Sequence, residues 1–139
     1  MKKRMLFTAA AFACAAALMA TGCGGEKKAD NVIKIGVVSE MTGGSATYGN
    51  SVVNGMKLAL KEINDKGGVL NKKIELVVAD SKSEPAEAAN AMSKLVSQDK
   101  VPLVSGLFTS SSAIAACNIS EAQKIPYLAI GATNPAVTT

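Results

Sequence analysis

Short β-branched runs alternate with segments of helical spacing from residue 32 onward, and this alternation constrains the fold more than any other feature. Strands are predicted at residues 32–38, 73–80, 101–107 and 125–130. Helices are predicted between them: from residue 50 to a stop at Gly67 and Gly68, over 83–98, and over 111–123. Continuously apolar strands joined by helices through short loops are typical of a buried parallel sheet. We therefore predict an α/β fold, an open parallel sheet with helices on both faces.

The first two predicted helices each have an apolar face that should enter the core. These faces consist of Val52, Met56, Ala59, Leu60 and Ile63 in the first helix, and of Ala88, Met92, Leu95 and Val96 in the second. Ser83 is the predicted N-cap of the second helix, and Pro85 lies in its first turn.

Three loops should meet at one edge of this sheet. Right-handed crossovers place the carboxyl ends of all the strands at the same edge, where open α/β sheets bind their ligands. The loops are residues 39–49 after the first strand, 109–112 after the third and 131–139 after the fourth. All three are rich in glycine, hydroxyl-bearing and other small residues, so the sequence predicts a ligand site at this edge.

Four consecutive hydroxyl residues, Thr109 to Ser112, directly precede the third helix. They could cap that helix, because a serine oxygen accepts a hydrogen bond from unpaired N–H groups. They could also anchor a ligand, because a helix N-terminus attracts anions and a hydroxyl adds a donor. None of the three loops contains lysine or arginine. This favours a small monocarboxylate or a neutral polar ligand over a phosphate ester.

Several classes of catalytic and cofactor site are excluded by residues that the sequence lacks. The chain has no histidine, so it cannot build a Ser-His-Asp triad, a Cys-His pair or a histidine-containing zinc site by itself. It also lacks a Walker-type phosphate loop. Gly43, Gly44 and Gly49 do not have the spacing of a dinucleotide-binding turn, so Asp80 after the second strand is not interpreted as a ribose ligand. We expect no enzyme activity, no cofactor and no metal.

The first 22 residues have the anatomy of an export signal, with Lys2, Lys3 and Arg4 before a short apolar segment. Residues 20–23, Ala-Thr-Gly-Cys, resemble the lipobox of bacterial lipoproteins, although Ala20 occupies the position at which this motif usually has leucine. The resemblance implies acylation of Cys23, and residues 23–31 suit a polar tether. The alternative is an ordinary signal with an incidental cysteine. Removal of residues 1–22 leaves 12 basic and 11 acidic residues, a net charge of +1, which gives no indication of nucleic-acid binding.

One cysteine remains beyond the signal and the acylation site. Cys117 lies in the third predicted helix and has no second cysteine with which to form an internal disulfide. We expect it to be a small buried apolar residue.

The segments IKIGVVSEMTGGSATYG, ALKEINDKGGVLNKKIELVVAD, TSSS and GATNPAVT together resemble one known family. In this order they are similar to the N-terminal lobe of periplasmic branched-chain amino-acid-binding proteins, the type I substrate-binding components of ABC transporters. The resemblance covers nearly all of residues 32–139. It implies an incomplete N-terminal lobe, one of two that close on a ligand.

Four ligand-binding residues follow from this resemblance, and a fifth candidate lies beside them. Ser110 corresponds to the serine that binds the α-carboxylate of the amino acid, and Thr133 to the threonine that receives the α-amino group. The backbone of Gly131 and the ring of Tyr48 correspond to further ligand contacts. Ser111 is included with Ser110 as a candidate, although Ser111 or Ser112 is more readily interpreted as the helix cap.

The resemblance also implies partners and a location. An exported receptor, lipid-anchored at the cell membrane and facing the periplasm or the exterior, would deliver an amino acid to permease and ATPase subunits of an ABC transporter. Leucine-like amino acids, other amino acids, amides and urea remain alternatives for the ligand. A ligand-sensing lobe of a signalling receptor remains an alternative function, as does a truncated fragment that does not bind.

Two departures from the family pattern produce expectations of their own. Better-known members have a disulfide-bonded cysteine at the position of Thr109, so no disulfide is expected here. The family's chains are also more than twice as long. We therefore expect residues 23–139 alone to be weakly stable, to expose an apolar edge at the fourth strand and to bind ligand weakly or not at all.

Overall fold

Four strands in one parallel sheet organise residues 31–138, the part of the chain that the computed structural model describes. The strands are β1 (Val32–Ser39), β2 (Lys73–Asp80), β3 (Val104–Gly106) and β4 (Tyr127–Ala129). They alternate with α1 (Ala46–Asp65), α2 (Pro85–Ser97) and α3 (Ser110–Gln123), and a 3₁₀ turn at Pro135–Val137 follows β4. The predicted α/β class is confirmed. The predicted signal, the acylated Cys23 and residues 23–30 of the tether lie outside the described residues.

The strand order is β2-β1-β3-β4, and every neighbouring pair is parallel. The chain leaves β1 toward β2 on one side and leaves β3 toward β4 on the other. The crevice between the carboxyl ends of β1 and β3 is therefore the switch point where such sheets bind ligands.

β3 and β4 are shorter than predicted. Pro102 and Pro126 lack an N–H group to donate, and pairing begins only after each of them.

The main core lies where α2 and α3 pack together against one face of the sheet. Ala88, Met92 and Leu95 are fully buried there as predicted, and Val96 is half-buried. Val38 and Val104 of the sheet belong to the same cluster. α1 contacts β1 and β2 from the opposite face, so helices cover both faces as expected.

α1 begins four residues earlier than predicted and is rotated relative to the predicted face. Gly49 and Val53 are its buried residues, whereas Ala59 and Ile63 are exposed. Gly49 lies so close to the backbone of Glu40 that a Cβ would overlap it, which directs the Gly49–Val53 side of the helix to the sheet. Near the other end, the amide of Asn64 forms two 2.8 Å hydrogen bonds with the backbone of Ile74. Polar pairing there replaces the predicted apolar contact of Ile63.

The predicted N-cap of α2 is wrong. The helix begins after Glu84, whose side chain makes no capping hydrogen bond. Ser83 adopts a left-handed backbone conformation (φ 62°), and its hydroxyl bonds to the β1–α1 loop instead.

Within residues 31–138, no helix is both long and apolar enough to cross a membrane.

Candidate functional site

The structure brings the three predicted loops together at the carboxyl edge of β1, β3 and β4. Ser110, at the start of α3, bonds to the segment after β4 that contains Thr133. Tyr48, in the first turn of α1, stacks on Phe108 of the β3–α3 loop. Gly131 lies against the same phenyl ring. Ser110 and Thr133 are therefore linked directly, and Tyr48 and Gly131 are linked through Phe108. Ser111 is exposed on the neighbouring first turn of α3.

The oxygen of Ser110 is an acceptor for two backbone amides. The N–H groups of Thr133 and Asn134 donate to it over 3.2 and 3.3 Å. A serine hydroxyl has two lone pairs and one hydrogen. With both lone pairs engaged, the Ser110 hydroxyl is left as a donor. A group that binds here through Ser110 is therefore an acceptor such as a carboxylate oxygen.

No serine of the hydroxyl run caps α3, so the predicted cap at Ser111 or Ser112 is wrong. The N-cap is Thr109, and its side chain makes no capping bond. Ser111 and Ser112 lie inside the first turn, and the buried Ser112 hydroxyl has no hydrogen-bond partner among the described residues. The first N–H groups of a helix have no partner within it. Within residues 31–138, no side chain caps the amino end of α3 beside Ser110.

Glu40 is the site residue that the sequence analysis missed. It follows β1 directly and is fully buried. Its carboxylate accepts hydrogen bonds from the N–H groups of Phe108 (3.1 Å) and Thr109 (3.0 Å) and from the Thr109 hydroxyl (2.8 Å). The hydroxyl that could have capped α3 is thereby occupied. An acidic residue directly after a buried strand at the switch point was the available signal.

Two aromatic rings form the exposed wall of the site. The rings of Tyr48 and Phe108 stack with centroids 4.4 Å apart and planes 2° from parallel. Tyr48 remains 56% exposed, so a flat apolar surface faces solvent at the turn that precedes Ser110. A side chain at Gly131 would overlap the Phe108 ring, which explains why glycine follows β4. Tyr48 belongs to α1 rather than to the loop in which it was predicted.

Asp80 holds the β1–α1 loop from the end of β2. One carboxylate oxygen accepts from the N–H groups of Met41, Thr42 and Lys82, and the other from the Thr42 hydroxyl at 2.6 Å. Partial burial acts to raise the pKa of Asp80, but these four hydrogen bonds outweigh it, so the pKa is lowered. Ser83 also holds this loop, because its hydroxyl accepts a hydrogen bond from the Ser45 N–H and donates one to the carbonyl of Thr42.

Other polar features of the lobe lie beside this site. Cys117 is half-buried rather than fully buried, and its thiol donates to the carbonyl of Val137. Burial is the largest cause that raises the pKa of Tyr127, and the charges of Glu40 and Cys117 raise it further.

A concavity of about 820 Å³ runs along α3, β4 and the 3₁₀ turn. Thr133 lines it but Ser110 and Tyr48 do not, so the concavity and the candidate site are different surfaces.

Comparison with known proteins links this architecture to solute binding. The sequence profile of a family described as periplasmic binding protein matches residues 32–139. The chain is 40% identical over 106 residues to a protein named amino acid binding protein from Pseudomonas aeruginosa, an alignment covering 76% of this chain and 28% of that protein.

Solved structures give the same result. The branched-chain amino acid transporter substrate binding protein LivJ from Streptococcus pneumoniae, in complex with isoleucine, superposes with a TM-score of 0.75 at 41% identity, covering 77% of this chain and 31% of LivJ. A solute binding protein of an ABC transporter from Rhodopseudomonas palustris, in complex with 3,4-dihydroxybenzoic acid, gives a TM-score of 0.71 at 29% identity, covering 78% and 29%. The chain spans less than a third of the length of each of these three proteins.

Proposed function

Because the chain belongs to the periplasmic binding protein family, whose members are substrate-binding proteins of ABC transporters and not enzymes, we propose that it forms the first lobe of a receptor for a small amino acid. Its fold is the α/β fold of the branched-chain amino-acid-binding neighbours, of which it matches a part. The receptor would capture the amino acid outside the cytoplasm and deliver it to a permease.

The observation that most directly supports this proposal is the hydrogen bonding of the Ser110 hydroxyl. Its oxygen accepts hydrogen bonds from two backbone amides, so its hydrogen remains to be donated to an incoming acceptor. The amino end of α3 beside it has no side-chain cap and carries the positive end of the helix dipole. A carboxylate would receive the Ser110 hydroxyl and the N–H groups of the first turn, including that of Ser111. Each such charge-assisted bond is worth about 1.5–3 kcal/mol.

The remaining predicted residues fit the other parts of an amino acid. The hydroxyl of the exposed Thr133 and the carbonyl of Gly131 are available for the α-amino group, since the Gly131 N–H donates to the carbonyl of Leu107. The Tyr48 ring offers an apolar surface for the side chain. Closure by a second lobe would supply the remaining contacts, since micromolar affinity requires about 8 kcal/mol.

Titration calorimetry of the full-length gene product tests this function. Leucine, isoleucine and valine should bind, and Ser110→Ala should weaken binding by about tenfold or more, as expected for one charge-assisted bond. Ser93→Ala, a serine on the exposed side of α2, is the matched control. Binding of 4-hydroxybenzoate without any amino acid would instead assign an aromatic acid to the site. Failure of all these carboxylates to bind would reject the proposal.

The membrane anchor is a separate part of the proposal. Cys23 is the last residue of a segment that resembles a lipobox, so we expect the mature chain to begin with an acylated cysteine. Mass spectrometry of the membrane fraction should show a mass increase from acyl chains on that residue. Cys23→Ser should release the protein from the membrane without changing its ligand affinity. An unmodified Cys23 in a membrane-free protein would refute the anchor and leave the binding function untouched.

A further inference from the structure

Glu40 connects two loops of the candidate site directly and the third through Phe108, although none of the proposed ligand contacts involves it. Its backbone is in close contact with Gly49, next to Tyr48 in α1. Its carboxylate bonds to Phe108 and Thr109, the two residues immediately before Ser110. Phe108 in turn supports Gly131 after β4. A single fully buried side chain thus lies at the junction of the three segments.

The backbone before Ser110 requires such a partner. Gly106 (φ 121°) and the buried Leu107 (φ 56°) both have positive φ angles, and a left-handed conformation is unfavourable for leucine. The turn directs two successive amides, those of Phe108 and Thr109, to one point. Successive N–H groups of this kind form an anion-binding concavity. The carboxylate of Glu40 occupies it from within the protein.

We propose that Glu40 is a positioning residue for the ligand anchor, holding the β3–α3 turn so that Ser110 and the first turn of α3 face the ligand. This inference rests on the proposed binding function. By binding the amides of Phe108 and Thr109, Glu40 leaves the Ser110 hydroxyl and the amides of the first helical turn for the ligand. It also removes the Thr109 hydroxyl from competition for those amides, because that hydroxyl donates to the carboxylate.

Glu40→Gln is the first variant that tests this role. The amide has nearly the shape of the carboxylate, but its NH₂ group cannot accept the 3.1 Å hydrogen bond that one carboxylate oxygen receives from the Phe108 N–H. We expect leucine affinity to fall by about tenfold or more, the cost of one lost charge-assisted bond. Amide hydrogen exchange at Phe108 and Thr109 should become faster in the ligand-free protein.

Thr109 provides a second test that does not depend on the folding of the Glu40 variant. Thr109→Val removes the hydroxyl at nearly constant volume and should also weaken leucine binding. Thr109→Ser keeps the hydroxyl and should restore affinity to within about threefold of the original, well inside one charge-assisted bond. A purely volume-based role of Thr109 would give the opposite order, because serine removes the methyl group and valine keeps it. Asp99→Asn is the control for loss of a carboxylate at the opposite edge of the sheet.

The outcomes separate this inference from the proposed function. Weaker binding in Glu40→Gln and Thr109→Val, with recovery in Thr109→Ser and no change in Asp99→Asn, supports positioning. Unchanged leucine affinity in Glu40→Gln and Thr109→Val overturns it. If the parent protein binds no amino acid, the proposed function fails and hydrogen exchange alone decides. Unaltered protection at Phe108 and Thr109 in Glu40→Gln then overturns the role of Glu40, and faster exchange upholds it as the residue that holds the turn.

Discussion

Glu40 and Asp80 are two carboxylates at the same edge of the same sheet, and they perform the same task in different surroundings. Each follows or ends a strand, and each accepts two or more backbone N–H groups and a threonine hydroxyl. Glu40 is fully buried, whereas Asp80 is partly exposed. Glu40 holds the turn that carries Ser110, and Asp80 holds the β1–α1 loop. The comparison shows that carboxylates within the protein organise an edge proposed to bind a carboxylate from solution.

The difference in burial predicts a difference in energetic importance. Water can replace lost partners of Asp80, because its surroundings are partly solvated. Water has less access to the partly buried donors around the fully buried Glu40 side chain. A buried donor that loses its partner costs about 1–3 kcal/mol, more than the net value of an exposed hydrogen bond. Four substitutions test this ranking through the free energy of unfolding of the full-length gene product.

Glu40→Ala should produce the largest loss, about 3 kcal/mol or more in the free energy of unfolding. The reason is that three partly buried donors, two amides and one hydroxyl, would lose the acceptor that the fully buried Glu40 provides. Urea denaturation at pH 7 measures the loss. Glu75→Ala, an exposed glutamate on β2, is the matched control and should cost much less. Equal losses in the two variants would abolish the distinction between buried and exposed carboxylates.

Asp80→Asn should cost about 1–2 kcal/mol at pH 7, and that cost should depend on pH. The pKa of Asp80 is lowered in the folded protein, so its carboxylate stabilises the fold at pH values above the unfolded pKa near 4. That contribution is lost as the pH falls through the folded pKa. Urea midpoints at pH 7, 4 and 3 should therefore converge for parent and variant. A gap that stays constant with pH would contradict the assignment.

Ser83→Ala should cost about 1 kcal/mol, because one hydroxyl both accepts from Ser45 N–H and donates to the Thr42 carbonyl. This loss measures how strongly a hydroxyl group holds the β1–α1 loop, separately from the carboxylate of Asp80. Ser97→Ala is the control, since its hydroxyl bonds only to a carbonyl within its own helix. The double variant with Asp80→Asn should lose less stability than the sum of the two single losses. Such non-additivity would show that the two side chains act on the same loop.

Tyr48→Leu should have the smallest effect, about 0.5–1 kcal/mol, because the ring is largely exposed and only its stacking on Phe108 is lost. Tyr48→Phe keeps the stacked ring and should match the parent protein in stability. Urea denaturation at pH 7 measures both variants against the parent protein. A loss as large as that of Glu40→Ala would show that the aromatic pair, rather than the carboxylate, holds the turn.

Periodicity in the sequence was sufficient for the order and type of the elements, because helix and strand spacing are local properties. The buried face of α2 was predicted correctly for this reason. The rotation of α1 was not, since it depends on the contact of Gly49 with the Glu40 backbone and on the pairing of Asn64 with Ile74. Residue type alone cannot reveal a close approach between two backbones or an amide that pairs with a neighbouring strand.

The convergence of the three loops was also determined by the sequence, because right-handed crossovers place all carboxyl ends of parallel strands at one edge. Tertiary structure alone decided how the polar groups at that edge are paired. Glu40 meets Phe108 and Thr109 across 68 and 69 positions of the chain, and Asp80 meets Met41 across 39. A hydroxyl before a helix is read from sequence as a cap. A carboxylate brought from a distant strand converted Thr109 into its donor and left Ser110 facing the site, because hydrogen bonds depend on geometry in space rather than on distance along the chain.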